Sequence, residues 1–397
     1  MRALVIAPQP FFSPRGTPLS VYYRTLITCE LGVKVDLLTY GEGQDVVIPG
    51  VRIIRIPRFA YFGEVRIGPS ALKLFLDLFI MGWTVSLLLT RRYDFVHAHE
   101  EAVFFCRFLK PIFGFKLIYD MHSSLPQQLH NFQFTSSKFI IDIFRKLEKT
   151  CLRAADAVIT ICPDLAKQAD ELVEDKKKHL LIENTIFDCI QLLPSSGACY
   201  PLTELAASQV GDVDLPNGKD LIVYAGTLEP YQGIDLLIHA FRKVVEKRSG
   251  ALLLVVGGNR TQVKHYQCLA NRCGLDSNVL FTGRVSPSTA KKYCTLASVL
   301  ISPRCQGTNT PLKIYEQLAI GKPLVATNIC SHTQILNDDV AFLVAPDPED
   351  MARGIIEALG SDGKSQRIVT NARRFYEQNY SRPVYVEKMR RLLELIS

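Results

Sequence analysis

Short apolar runs, each long enough for one strand and separated by stretches with helical spacing, recur along this chain in two successive series. In the first, ALVIA, VKVDLLTY, VRIIRIP, FVHAHE, KLIYDMH and AVITIC read as strands, and HLLIENTI closes the series. Runs buried on both faces with helices between them require a parallel, doubly wound sheet. Pro194 to Asp220, rich in Pro, Gly, Ser and small residues, reads as an irregular connection. LIVYAG, ALLLVVGG, NVLFTG, SVLISP, PLVAT and AFLVAP then restart the pattern, and PVYVEKMRRLLELIS reads as a closing helix. The duplication is one of fold and not of sequence. Open parallel sheets bind ligands beyond the carboxyl ends of their strands, so the loops after these runs are where chemistry is expected.

A length of 397 residues suits two domains, and 48% hydrophobic with 21% charged residues suits ordinary globular ones. The 11 cysteines contain no C-x-x-C pair, as expected of reduced thiols in the cytoplasm, and the apolar run of MRALVIAPQP is broken by prolines and reads as a strand, not a signal peptide. The net charge of +7 is uneven: Met1 to Arg153 holds 19 Lys/Arg against 12 Asp/Glu, and the remainder balances. Such a basic half attracts an anionic lipid surface, a phosphorylated acceptor or nucleic acid. Neither zinc-finger spacing nor a basic, aromatic-interleaved segment is present, so no nucleic acid partner is expected. Leu72 to Leu89 is apolar around nearly its whole circumference, interrupted by Lys73 and Asp77. A bilayer span needs about 20 apolar residues. Two readings stay open: a helix buried against the first sheet, or a membrane-facing surface that places the protein peripherally on the inner face of a membrane.

Ile301 to Thr327, ISPRCQGTNTPLKIYEQLAIGKPLVAT, reads as strand end, polar loop, helix and strand. Thr310 fits an N-cap and Pro311 the first helical position, which puts Leu312 and Lys313 in the first turn. A free helix N-terminus offers unpaired N–H groups and positive potential to phosphate. Lys313 is ill placed there for the helix itself, and an anion would resolve the conflict. Spacing of three puts Glu316 on the same face, so ammonium and carboxylate are expected side by side, to hold a phosphate and vicinal hydroxyls or to form an ordinary surface pair.

A parallel device follows the first strand in QPFFSPRGTPLSVYYRTL, where Gly16 permits close backbone approach and Thr17-Pro18 reads as cap and first helical residue. It lacks G-x-G-x-x-G, so a dinucleotide cofactor has little support. In YAGTLEPYQGIDLL, Thr227 and Gln232 are the polar candidates between Gly226 and Gly233. His97 and His99 alternate onto one strand face, Glu100 points elsewhere, and His122 ends the next strand. These histidines are active-site candidates at strand ends or packed core. No further metal-ligand spacing accompanies them, and no metal is expected.

PLKIYEQLAIGKPLVAT, FVHAHE, ENTIF with Asn184, and YAGTLEPYQGIDLLIHAF together resemble glycosyltransferase family 4 over nearly the whole chain. The resemblance implies an α/β GT-B fold: two Rossmann-like domains facing an interdomain cleft, residues 1–186 on the acceptor side and 187–371 on the donor side. Residues 372–397 would form a helix crossing back to the first. It implies a retaining, metal-independent, cofactor-free transferase moving a sugar from a UDP- or GDP-linked donor to an unidentified acceptor, lipid-linked or a cell-envelope glycan precursor. Glu316 would hold the ribose, the N–H groups near Thr310, Pro311 and Leu312 the diphosphate, and His99 the transferring sugar. Gly16 would admit the diphosphate, and Glu100 and His122 stand on the acceptor side. Three departures matter: Thr308 replaces the first Glu of the family's E-x7-E pair, and Thr227 and Gln232 replace its diphosphate-binding Arg and Lys. Arg284, Arg304 and Lys313, with Thr17 and Asn309 nearby, are the candidates to restore that charge. The alternative is a GT-B protein that binds sugar nucleotides without catalysis.

Overall fold

In the computed structural model, residues 1–13, 16–58, 70–124, 138–173, 175–187, 218, 220–360 and 363–397 are described. Most of the aromatic stretch 57–70, of the acceptor-side region 123–134 and of the connection from Pro194 to Asp220 lies outside them.

Every expected strand forms. The first sheet holds β1 (Arg2–Ala7), β2 (Lys34–Thr39), β3 (Val51–Arg55), β4 (Phe95–His99), β5 (Lys116–Met121), β6 (Ala157–Thr160) and β7 (His179–Leu181), all parallel, in the order β3-β2-β1-β4-β5-β6-β7. The second holds β8 (Leu221–Ala225), β9 (Leu252–Val256), β10 (Val279–Gly283), β11 (Val299–Ser302), β12 (Leu324–Thr327) and β13 (Phe342–Val344), parallel in the order β10-β9-β8-β11-β12-β13. Strand order reverses between β1 and β4 and between β8 and β11, the switch points where such sheets bind ligands.

The first sheet carries α1 (Gly16–Glu30), α2 (Ala71–Thr90), α3 (Ala102–Phe113), α4 (Lys138–Ala154) and α5 (Pro163–Leu172). Around the second lie α6 (Ile234–Lys247), α7 (Arg260–Arg272), α8 (Pro287–Leu296), α9 (Lys313–Ile320), α10 (Cys330–Thr333), α11 (Pro348–Ala358) and α12 (Lys364–Asn379). The last helix, α13 (Arg382–Ile396), packs on α1 and β6, with Arg382 paired to Glu30 at 2.6 Å and Lys388 to Glu183. The chain therefore divides into one unit of Met1–Ile186, Ile190–Gly197 and Arg382–Ser397, and a second of Phe187–Cys189 and Ala198–Ser381. The return to the first unit starts later than residue 372, because Ala372 on α12 is still buried in the second unit's core.

The stretch from Leu72 to Leu89 forms a helix, and its environment is two-sided. Leu76, Ile80, Thr84 and Leu88, four residues apart, are buried against the first sheet, whereas Leu74, Leu78 and Leu89 are 68%, 61% and 72% exposed. A helix buried all round is therefore not what forms.

At the carboxyl end of the second sheet, backbones meet without side chains. Gly226 N donates to Val256 O and Gly257 N to Gly283 O, both at 2.9 Å. A Cβ on Gly257, where φ is +119°, would stand 2.0 Å from Gly226 O. Gly257→Ala is accordingly expected to destabilise the protein by about 1–3 kcal/mol, read as a lower urea midpoint, through backbone strain at a left-handed position.

Candidate active site

In the first unit the register of β4 on β5 sets His99 opposite Asp120, and strand alternation brings His97 onto the same face. His97 Nε2 lies 2.9 Å from Asp120 Oδ2, His99 Nδ1 lies 3.0 Å from His122 Nε2, and the His97 and His99 rings stack 4.6 Å apart. Arg24 of α1 reaches this cluster from the opposite side. Its Nε is 2.7 Å from Asp120 Oδ2 and its Nη2 donates to Ile182 O at 2.9 Å. Arg24, His97, His99, Asp120 and His122 are all buried.

Burial works against the Asp120 carboxylate, but Arg24 and the surrounding imidazoles outweigh it and hold the carboxyl far below its usual range. Burial, opposed by Asp120, keeps His99 well below the ordinary imidazole value and takes His122 down to about 4. At neutral pH the cluster thus holds the Asp120 anion, the Arg24 guanidinium and neutral His99 and His122 rings. His99 Nε2 is buried without a hydrogen-bond partner among the described residues, which leaves one polar imidazole nitrogen for a ligand. His97, His99 and Asp120 bring ligand atoms within 4.8 Å of one another. A cation there would lie against the Arg24 guanidinium, so the donor set fits an ion pair better than a metal.

Beyond β4 the chain turns through Glu100, whose φ of +48° is the one positive value at a non-glycine among the described residues. Burial and neighbouring Glu101 push its carboxyl up to about 8. Burial and Glu101 likewise raise Asp77 to about 7, while Tyr40 Oη donates to it at 2.5 Å, and Lys73 Nζ pairs with Glu101 at 2.7 Å. Burial and Glu101 thus favour the protonated form of Glu100. The helix after β1 begins at Gly16, so Thr17 and Pro18 lie within its first turn and not at its cap. Among the described residues nothing lies within 4 Å of a Cβ placed on Gly16, so none of them demands a glycine there.

In the second unit the expected cap is corrected. α9 begins at Lys313 with Leu312 before it and no side-chain cap, and Thr310 Oγ1 is buried without a partner. Pro311 belongs to the preceding turn, where its carbonyl accepts from Ile314 N at 3.0 Å. The expected Lys313 and Glu316 pair does not form either. Lys313 Nζ turns back to lie 4.2 Å from the centroid of the Tyr224 ring on β8, buried and without a hydrogen-bond partner among the described residues. Burial, with Arg304 nearby, pushes this ammonium down to about 7. Glu316 makes no ion pair among the described residues, and burial raises its carboxyl.

Arg304 sits 5.2 Å from the centroid of the Tyr231 ring, its Nε donating to Gln306 O at 2.6 Å and its Nη1 reaching Asn309 O at 3.4 Å. It thereby shapes the loop that holds Thr308, whose carbonyl accepts from Gln334. Gln232 is buried and reaches Thr227 Oγ1 at 3.4 Å, and Tyr224 Oη donates to Thr227 O at 2.6 Å. Thr227, Gln232, Arg304 and Lys313 are thus gathered around Tyr224 and Tyr231. Arg284 follows Gly283 on the glycine rim, exposed and outside that group.

Residues 27–185 match the model of the glycosyl transferase 4-like domain, and residues 208–375 match glycosyl transferases group 1. The chain belongs to the family 4-like glycosyltransferases of GT-B fold. It is 23% identical over 363 residues to the uncharacterized glycosyltransferase MJ1607 of Methanocaldococcus jannaschii, covering 88% of this chain and 89% of that one. It is 27% identical over 183 residues to the phosphatidyl-myo-inositol mannosyltransferase of Mycobacterium tuberculosis, covering 40% and 47%. Among solved structures, Anabaena Alr3699/HepE in complex with UDP superposes with a TM-score of 0.71 at 14% identity, covering 99% of this chain and all of that one.

For this glycosyltransferase, the groups that organise both sites carry no mark in the sequence. Arg24 and Asp120 order the histidines, and Tyr224 seats Lys313. His332, buried between Ser302 Oγ at 2.9 Å and Thr327 O at 2.8 Å, braces the loop after β11. The one usable signal is Asp120, two residues before His122.

Two outcomes test the first cluster. Arg24→Met strands a buried carboxylate and should cost about 3–5 kcal/mol in chemical denaturation. His99 and His122 bind protons more readily unfolded than folded, so stability is full above about pH 6.5 and declines as pH falls toward 4, read as a falling Tm across that window.

Proposed function

We propose that this glycosyltransferase moves a sugar from a nucleoside diphosphate sugar to an acceptor hydroxyl with retention of anomeric configuration and without a metal. The observation that carries this reading is the buried, unpartnered ammonium of Lys313 at the uncapped start of α9. A cation desolvated beside a helix N-terminus is an arrangement that a diphosphate completes. Arg304 adds fixed positive charge from the same loop. Together they take the place of the Arg and Lys that Thr227 and Gln232 replace, and of the divalent ion used elsewhere to stabilise a departing diphosphate.

Glu316, unpaired among the described residues, accepts from the ribose hydroxyls. In the reaction the bond from the anomeric carbon to the diphosphate oxygen breaks. The acceptor oxygen bonds to that carbon on the same face, and the acceptor proton passes to the departing phosphate. His99 Nε2 hydrogen-bonds the transferring sugar, and Glu100 and His122 serve the acceptor. UDP is the first donor nucleotide to test, because the Anabaena structure holds it, with GDP second. A lipid-linked acceptor is supported by the mannosyltransferase relative, whose name specifies a phosphatidylinositol substrate. The nine cysteines of the described residues are all free, in keeping with a cytoplasmic site of action.

Calorimetry of UDP, GDP and their common sugars, with and without chelator, tests the reading. Chelator-resistant binding of one nucleotide is expected; binding of none, or binding that needs metal, would overturn it. Lys313→Met should weaken that binding at least ten-fold. Because a bound diphosphate favours the charged amine, affinity in the wild type should fall by up to about ten-fold per pH unit from pH 7.5 to 9, with proton uptake visible as a buffer-dependent heat. His99→Ala should lower turnover, or donor hydrolysis, more than donor affinity, and full turnover would remove it from the mechanism.

A further inference from the structure

We infer that the outer face of α2, α3 and α4 is a docking surface for an anionic lipid bilayer, on which the first unit lies with α2 in the plane of the interface. α3 packs between α2 and α4, so the three helices form one layer over the sheet and turn their solvent sides the same way. On that side Leu74, Leu78 and Leu89 of α2 and Phe108 and Ile112 of α3 are 61–72% exposed. Eight of the thirteen exposed large hydrophobic residues among those described lie on these three helices. Dispersed exposure would be ordinary; concentration in one layer marks an interaction surface.

α2 is long and apolar enough to cross a membrane, with a mean hydropathy of 1.8 from Leu72 to Thr90. It cannot do so within this fold. Leu76, Ile80, Thr84 and Leu88 are committed to the core, and the Tyr40 and Glu101 contacts of Asp77 and Lys73 pin its first turns. An apolar helix with one face committed and the other bare lies along an interface.

Charge selects the occupant. Across α2, α3, α4 and the Arg91-Arg92 step there are ten Lys/Arg and three Asp/Glu, an excess equal to the net charge of the whole chain. Asp77 and Glu148 are turned inward, to Tyr40 and Ser124, and exposed Asp142 is paired with Arg145 at 2.8 Å. Arg92, Lys146 and Lys149 are exposed. Arg107 lies 4.3 Å from the centroid of the Phe108 ring, a ring to insert beneath a cation to meet headgroup phosphate. Lys73, Arg91 and Lys110 are paired with Glu101, Asp36 and Asp156, which lie outside that count, so Arg92, Lys146 and Lys149 are the exposed cations beside the apolar tips, and a negatively charged lipid surface attracts each of them.

The inference stands apart from the donor chemistry and is tested without it. The full chain is sedimented with vesicles of phosphatidylcholine containing 30% phosphatidylglycerol and with phosphatidylcholine alone. Most of the protein should pellet with the anionic vesicles at low salt, several-fold less at 0.5 M salt, and little with the neutral ones. Trp83 on α2 is the one tryptophan of the chain, so lipid brominated near the headgroup should quench its fluorescence. Leu74→Glu with Leu78→Glu, and separately Arg92→Glu with Lys149→Glu, should lower the pelleted fraction at least five-fold while Tm and nucleotide binding stay as in the wild type. Equal pelleting of wild type and variants, no pelleting with anionic vesicles, or a concentration-dependent dimer abolished by the leucine variant in place of vesicle binding would overturn it.

Discussion

A buried ion pair organises the first unit. The carboxylate of Asp120, near the end of β5, lies in a place stripped of water, where the Arg24 guanidinium first and the surrounding imidazoles second make its charge tolerable. With the charge fixed, three imidazoles can share one small volume, His99 and His122 as neutral rings, and His99 keeps a nitrogen without a hydrogen-bond partner among the described residues. The same guanidinium holds the carbonyl of Ile182, where the chain leaves the sheet. Removing either partner would disturb the charge balance of the site and the anchoring of the exit segment together.

The second unit solves a different problem. Phosphate oxygens need positive potential at close range, and glycine backbones at the ends of β8, β9 and β10 clear the space while Tyr224 and Arg304 fix the approach. Lys313 is held where its charge is poorly solvated, an unfavourable arrangement for the empty protein and a favourable one for an anion. Rigid hydrogen bonds to neutral partners surround it: Gln232 on Thr227, His332 on Ser302 and Thr327. Preorganisation of this kind stabilises charge that develops on a leaving group.

The two sheets were legible because a parallel strand buried on both faces leaves an unbroken apolar run, and each such run in this chain became a strand. The histidines were legible for the same reason, since each sits at the carboxyl end of a run. The α9 cap was misread. Thr310 and Pro311 have the residue types of a helix start, but the helix begins two residues later, and the threonine hydroxyl is buried without a partner. Lys313 and Glu316 share a helical face by spacing, yet the long lysine stem follows the Tyr224 ring instead, a choice made by a strand distant in sequence. An arginine inside an apolar helix shows no pattern until the fold brings it within 2.7 Å of Asp120, whose one signal is its place two residues before His122. The α2 segment was ambiguous in sequence because apolar residues for the core and for the outer face occupy the same helix.

The return of α13 to the first unit has a consequence for how the protein is made. Tyr385, Met389 and Leu392, buried on that helix, complete a layer begun by α1, yet the ribosome delivers them only after the whole of the second unit. Topologically the second unit is an insertion within the first. The second sheet can close on itself as it emerges, whereas the first must wait with the α1 side incompletely covered. Fragments cut at the boundary near Ile186 would therefore be unequal: the later half keeps its own sheet intact, and the earlier half lacks the helix that seals it.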